Sequence, residues 1–255
     1  MPNGEVYAET ADTVALIPAH NEAQTIRAIA EAARPHVDGM IVIDDGSTDG
    51  TSEALAGLPI RLIRHSQNAG KGPRLAEGLA AAFAAGAAQV VTLDGDGQHD
   101  PGDIPAFRAA ARGNPGALIL GDRSAAMATM PQGRARSIRF GNLFIGWACG
   151  RPIADAQCGM RLYPRQVWQT LSVPRRHIRG FVYETAVLLY AAEAGAAFAT
   201  VPIPARYAGF QKRPSHFRPV ADFLLIAWAV TQFLVSRGFR VGGLLTVLGL
   251  RKSGP

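Results

Sequence analysis

Asp94, Asp96 and Gln98 stand two apart in "LDGDGQHDP", directly after the apolar run Val90–Leu93. In extended backbone, residues i, i+2 and i+4 point to one side. Two carboxylates and an amide oxygen then converge on one point. Gly95 and Gly97, between them, leave room for a close-approaching ligand. Hard oxygen donors suit Mg²⁺ or Mn²⁺, which bind through one or two carboxylates together with substrate phosphates. The competing reading is an Asp-rich turn, since Asp and Gly both favour turns. Position at a strand end, beside other polar clusters, favours the metal. Asp100, just before Pro101, is expected to cap the helix that follows.

Other side chains invite roles of the same kind. Asp44 and Asp45 also end an apolar run, where carboxylates can accept hydrogen bonds from a nucleobase or ribose. Capping is the alternative there, for Ser47 and Asp49 above all, and Thr51 or Ser52 is expected to cap the next helix. Lys71, between glycines in "NAGKGP", is placed either to meet a phosphate or as a solvated loop lysine; the segment is not a Walker sequence. His20 and His99 lie within the polar clusters. His36, His65 and His177 read as surface or satisfied structural histidines. Cys149 and Cys158 lack zinc or redox spacing and read as small buried hydrophobes in a reducing setting.

The surrounding pattern says what must position these groups. "TVALIPA" (Thr13 to Ala19) is a short β-rich run, and helical spacing follows from Glu22 to about Arg34. Ile41 to Ile43, "IRLIRH" and "QVVTLD" read as further strands, with an alanine-rich helix from Arg74 to Gly86. "GALILGDR" is a fifth strand, a helix begins near Ile138, and "VPIPARY" is a late strand. Strands alternating with helices predict an α/β fold with a mostly parallel sheet flanked by helices. Ligands in such sheets sit outside the carboxyl ends of the strands. "HNEAQT", "DDGSTDG" and "DGDGQHD" follow the first, second and fourth strands, so all three are expected on one edge.

The 255 residues suffice for one large domain or two small ones. A net charge of +6 points to an anionic partner. Aromatic content is low and no nucleic-acid-binding signature is present, so no nucleic acid is expected. The polar N-terminus carries no secretory signal, and a cytoplasmic location is expected. The apolar run Phe223–Val235 is shorter than the roughly 20 residues of a spanning helix. "SRGFR" separates it from "VGGLLTVLGL". Residues 1–219 are therefore expected to form the catalytic domain and 220–255 a C-terminal apolar or amphipathic helical segment. That segment either lies on an anionic membrane surface or packs on the domain. Arg206, Lys212, Arg213 and Arg218 precede it, with Phe210, Phe217, Phe223 and Trp228 as interfacial anchors.

"LIPAHNEAQTI", "VIDDGSTDGT", "NAGKG" and "LDGDGQHDP" occur in the order and spacing of a known family. The sequence resembles glycosyltransferase family 2 enzymes of the GT-A fold, in particular the branch of dolichyl-phosphate mannose synthases and bacterial polyprenyl-phosphate glycosyltransferases. "DAQCGMRLYP" and "GFVYETAVLLYAAEAGAAFATVPI" extend the resemblance, which covers roughly Thr13 to Lys212. It implies that Pro18, Ala19, Asn21 and Glu22 line a nucleotide pocket, and that Asp44 and Asp45 hold base and ribose. Lys71 would join the nucleotide-sugar site. Asp94, Asp96 and Gln98 would bind Mg²⁺ or Mn²⁺ and, through it, the diphosphate. Arg123 would sit near the sugar or diphosphate, with Asp96, Arg123 and Asp155 as the catalytic set. Asp155 and Arg161 would face the acceptor. Arg206 and Lys212 would belong to a loop closing over the phosphates.

Two departures from the family pattern stand out: Gln211 where a serine is usual, and Pro73-Arg74 after Lys71 where small residues are usual. The resemblance implies inverting transfer of a hexose from a GDP- or UDP-sugar to a polyprenyl phosphate, at the inner face of a membrane. An acceptor phosphate is already an anion and needs no strong base. A hydroxyl acceptor on a glycan, lipid or small acid needs one, and Asp155 is then the candidate. A nucleotidyltransferase would open with a glycine-rich basic loop where "PAHNEAQ" stands. A non-catalytic nucleotide-sugar-binding protein is the reading from another class, and the intact acidic set counts against it. A membrane partner protein or a homo-oligomer is compatible with the apolar tail.

Overall fold

Val14 and Leu16 pack on one side of the first strand, while Ala15 and Ile17 pack on the other. Ile41 and Ile43 against Met40 and Val42 repeat this in the second strand, and Val90 against Val91 in the fourth. Period-two alternation with both faces apolar is the mark of a sheet covered on both sides. The computed structural model describes residues 11–125, 132–204 and 218–250. Arg206 and Lys212 lie outside the described residues, as do Phe210, Gln211, Arg213, His216 and Phe217.

The sheet strands are β1 (Thr13–Ala19), β2 (Gly39–Asp45), β3 (Arg61–His65), β4 (Gln89–Thr92), β5 (Leu118–Asp122), β6 (Arg161–Pro164) and β7 (Phe198–Pro202). Their spatial order is β3-β2-β1-β4-β6-β5-β7. β1 pairs in parallel with β2 and β4, β2 with β3, and β5 with β7. β6 runs antiparallel between β4 and β5. It was not expected from the sequence, because its four residues follow a polar loop and carry Arg161 where an apolar residue would mark a buried strand.

The helices are α1 (Ile26–Ala33), α2 (Thr51–Ala54), α3 (Lys71–Ala84), α4 (Ile104–Gly113), α5 (Gln132–Cys149), α6 (Arg165–Thr170), α7 (Val182–Glu193), α8 (Pro219–Val235) and α9 (Val241–Val247). α3, α5, α7 and α8 join the core on one sheet face, and α1 and α4 the core on the other. α3 lies so close to β1 that a Cβ at Gly78 would run into the Leu16 side chain. α8 buries Ala229, Val230, Phe233 and Leu234, with Phe233 edge-on to Tyr190 of α7. Its C-terminal half therefore rests on the same core as the sheet. Among the described residues no single helix is long and apolar enough to cross a membrane; Val220–Val235 and Gly238–Val247 are bent apart by 107°.

Local starts differ from expectation in two places. Thr51 and Ser52 do not cap α2 from outside but lie in its first turn, with Gly50 at the cap position. Asp49 serves the start instead, accepting from the Thr51 amide at 3.1 Å. Lys71 is not a loop residue, since α3 begins with it. Asp100 caps as expected, accepting from the Gly102 amide at 2.9 Å.

Candidate active site

The loops after β1, β2 and β4 meet at one sheet edge, as the topology requires. Pro18 and Ala19 end β1 inside the sheet. Asn21 follows with φ of 56° and ties the β1 loop to the β2 loop: its amide donates to Ser47 Oγ at 2.9 Å and its Oδ1 accepts from the Thr48 amide at 2.9 Å. The Glu22 amide donates to Thr51 Oγ1 at 2.8 Å. The Thr25 hydroxyl donates to the Gly95 carbonyl at 2.7 Å, which fastens the acidic turn after β4 to the same loop.

Asp44 and Asp45 are both buried and both engaged within the protein. Asp44 accepts from the Ser47 amide at 2.8 Å and from the Ser52 hydroxyl. Asp45 accepts from the Ala69 and Gly70 amides at 2.8 and 2.7 Å and from Arg74 Nε at 2.6 Å. Burial pushes the Asp45 carboxyl upward, but these hydrogen bonds and the Arg74 charge outweigh it and hold the group below the usual range. The departure at Arg74 thus has a structural reason: its guanidinium neutralises Asp45 and also donates to the Gln67 carbonyl at 3.1 Å. The pair shapes residues 67–70, the loop that delivers Lys71.

Lys71 is the hub. Its ammonium lies 2.5 Å from Asp94 Oδ1 and 3.1 Å from Glu184 Oε1 of α7. Burial opposes its charge most strongly, yet the two carboxylates prevail and raise its pKa. Burial likewise opposes the Asp94 charge, but Lys71, followed by His99, brings that carboxyl down to about 2. Asp96 moves the other way, raised by burial and then by repulsion from Asp94. His99 is buried against Asp94: its Nδ1 accepts from the Asp94 amide at 3.2 Å, and burial brings its pKa down to about 4. The imidazole is therefore neutral, with its proton on Nε2.

The acidic segment is a turn rather than an extended comb. The chain bends at Gly95–Asp96, and Gly97 has φ of 79°. The Gln98 amide donates to Asp96 Oδ1 at 3.0 Å while its side chain is exposed. Gly and Asp chose the turn because Asp96 accepts a local amide there. Asp94 and Asp96 remain neighbours, and their donor chemistry fits a hard divalent cation. Among the described residues no group of three or more His, Cys, Asp or Glu side chains is arranged to hold a metal ion, and in this arrangement the Lys71 ammonium is the cation that stands against Asp94.

On the far side, Arg123 at the end of β5 grips Asp155 through Nε at 2.8 Å and Nη2 at 3.2 Å. Asp155 is buried and also accepts from the Gln157 amide at 3.1 Å. Arg161 does not reach an acceptor side. It is 1% exposed, and its guanidinium donates to the carbonyls of Cys158, Glu184 and Ala156 at 3.0, 2.6 and 2.8 Å. It holds the 156–160 loop to α7. His20 Nδ1 contacts the Asp45 carbonyl at 2.9 Å. Cys149 and Cys158 are buried, and burial pushes their thiols up to about 12 and about 11, which leaves them unreactive.

Two members of the cluster received no role from sequence reasoning: Glu184 and Gly159. A Cβ at Gly159 would lie 2.8 Å from Asp94 Oδ2 and 2.9 Å from Lys71 Nζ, so any side chain there would push the pair aside. Glu184 had a legible signal. It is an acid inside the otherwise apolar run "FVYETAVLLYAA", and a buried acid needs a partner.

The model of glycosyl transferase family 2 matches residues 14–171, more than half of the chain. This protein belongs to glycosyltransferase family 2. It is 28% identical over 195 residues to the UDP-N-acetylglucosamine–dolichyl-phosphate N-acetylglucosaminyltransferase of Methanococcus voltae, covering 67% of this chain and 75% of the relative. It is 25% identical over 236 residues to the polyprenol monophosphomannose synthase of Mycolicibacterium smegmatis, covering 87% and 88%. Among solved structures, mannosyl-3-phosphoglycerate synthase from Rubrobacter xylanophilus superposes with a TM-score of 0.66 at 18% identity, over 96% of this chain and 77% of that one. Glucosyl-3-phosphoglycerate synthase from Mycobacterium tuberculosis, solved with Mg²⁺ and UDP, gives 0.62 at 21% identity, over 93% and 84%. The fold is GT-A and the protein is a glycosyltransferase.

Proposed function

We propose that this glycosyltransferase moves a hexose from a nucleoside diphosphate sugar to a polyprenyl-phosphate acceptor at a membrane surface, with Mg²⁺ or Mn²⁺ as cofactor. The observation that carries the reading is the Lys71–Asp94–Glu184 cluster beside Asp96, at the strand ends where a diphosphate belongs. Asp94 and Asp96 would hold the divalent ion. Bound there, the ion supplies positive charge for the leaving diphosphate. Lys71 adds an ammonium fixed from two sides, and His99 and Gly159 hold Asp94 in place. Pro18, Ala19, Asn21 and Glu22 frame the nucleotide pocket. Asp44 and Asp45 shape that pocket's floor through their internal hydrogen bonds, and Gln98 lies at its exposed rim. Arg206 and Lys212 are kept as phosphate contacts on the strength of the resemblance.

The hydrogen bonding of Asp155 supports this acceptor class. Both of its oxygens are committed, to Arg123 and to the Gln157 amide. A carboxylate so occupied is a poor general base, which suits an acceptor that arrives as a phosphate anion. The names of the relatives from Methanococcus voltae and Mycolicibacterium smegmatis support the same class. Arg123, oriented by Asp155, is then placed to meet the acceptor or sugar-nucleotide phosphate. The test is a transfer assay with labelled UDP- and GDP-sugars against polyprenyl phosphate, polyprenol and small hydroxyl acceptors. The account expects label on the lipid phosphate only. Label on hydroxyl acceptors at equal or greater rate would overturn the acceptor assignment.

A further inference from the structure

Every large apolar side chain that is strongly exposed among the described residues lies on α5 or between residues 220 and 250. On α5, Arg136, Arg139, Phe140 and Leu143 stand at i, i+3, i+4 and i+7, which is one helix face. All four are exposed, Phe140 at 58%. On α9, Val241, Leu245 and Leu248 repeat the spacing across the helix and its C-cap, with Phe239 just before them. The two helices are locked together. Trp147 Nε1 of α5 donates to the Phe239 carbonyl at 2.8 Å, and Arg240 Nη1 donates to the Ala148 carbonyl at 2.8 Å. A Cβ at Gly243 would lie 2.7 Å from the Trp147 carbonyl, so α9 sits directly on the α5 backbone.

Charge says what covers this face. Residues 132–150 and 223–250 contain five arginines and no acidic residue; Arg237 is paired with Glu193 of α7, while Arg136 and Arg139 stand exposed on the α5 face. A second copy of the chain would set arginine against arginine. An anionic lipid headgroup layer complements them, while the phenylalanine and leucines enter the acyl boundary. A cleft of about 540 Å³ opens on the same face. Its wall runs from Ser124, next to Arg123, past Asn142 and Ile153 to Leu143, Arg139 and Val247. The cleft thus joins the catalytic edge to the apolar surface.

We propose that the α5–α9 face docks on an anionic bilayer, with the cleft opening toward the lipid. The docking rests on the surface itself; the cleft's use by an acceptor chain rests on the polyprenyl-phosphate reading above.

The test is sedimentation of the full chain with phosphatidylglycerol/phosphatidylcholine vesicles and with pure phosphatidylcholine vesicles, in the absence of donor and acceptor. Binding to the anionic vesicles is expected to weaken as salt rises. The double variant Phe140→Glu/Leu248→Glu is expected to lose at least about tenfold in partitioning while keeping its melting temperature and its transfer to a short-chain, detergent-soluble acceptor. Arg136→Glu alone is expected to lower binding to anionic vesicles only, which serves if the double variant folds poorly. Wild-type binding by both variants, or no vesicle binding by the parent, overturns the proposal. So does a dimer in solution that Phe140→Glu/Leu248→Glu dissolves. Transfer to a soluble acceptor without vesicle binding removes the docking alone. Vesicle binding without transfer to any polyprenyl phosphate removes the acceptor reading alone.

Discussion

Gly159→Ala places one methyl group against the centre of the proposed chemistry. The new Cβ would stand 2.8 Å from Asp94 Oδ2 and 2.9 Å from Lys71 Nζ, whereas ordinary contact begins at 3.4 Å. The side chains must therefore retreat by roughly half an ångström. Both crowded atoms are side-chain ends, and the backbone around Gly159 meets no clash as close. The fold is expected to absorb the change, with a melting temperature within a few degrees of the parent. The reacting geometry is not expected to absorb it. A displacement of 1 Å at a reacting centre costs about a hundredfold in rate, so about half that displacement predicts a loss near tenfold in kcat/KM. The assay is initial-rate transfer at saturating metal, beside a thermal melt of the same preparation. A variant with parental stability and parental kcat/KM would show that the Lys71–Asp94 pair lies away from the reacting atoms.

Three further outcomes follow from the same geometry. Asp96→Ala is expected to reduce transfer to background while leaving the far-UV spectrum and melting temperature close to the parent; circular dichroism and the labelled-sugar assay check both halves. Arg74→Met strips a buried charge partner from Asp45, and the melt is expected to show a loss of about 3 kcal/mol, tempered by the two remaining amide donors. His177, buried against Tyr190, has its pKa lowered by burial and by Arg176, Arg179 and Arg237. Its neutral form contributes stability above the ordinary histidine value of about 6.5, and that contribution is lost as pH falls through the lower folded value. Denaturant melts across that window should show the decline, and His177→Phe should flatten it.

The sheet was legible where strands carry unbroken apolar runs. β1 spans Thr13–Ala19 as the sequence indicates, and the clusters after β1, β2 and β4 do share one edge. β6 was not legible, because a four-residue strand holding a buried arginine has no periodic signal. Its Arg161 shows the limit of reading roles by resemblance. Position in a motif does not reveal whether a guanidinium faces a ligand or three carbonyls. The turn at Gly95–Asp96 shows a second limit, since spacing by two implies one face only if the backbone is extended. Of the two alternatives the sequence leaves for His177, surface or structural, the fold selects the second: it is buried, with the Tyr190 hydroxyl 3.3 Å from its Nδ1. Contacts remote in sequence, such as Glu184 with Lys71 and Arg74 with Asp45, appear only once the sheet brings α3, α7 and the β2 edge together.

The central claim is tested most directly by following one turnover mixture of enzyme, nucleotide sugar and polyprenyl phosphate with and without chelator. The account predicts one nucleoside diphosphate released per glycosyl polyprenyl phosphate formed, with both products abolished by chelation and restored by added Mg²⁺ or Mn²⁺. Undiminished product in the presence of chelator, or nucleoside diphosphate released with the sugar on another acceptor, would contradict it.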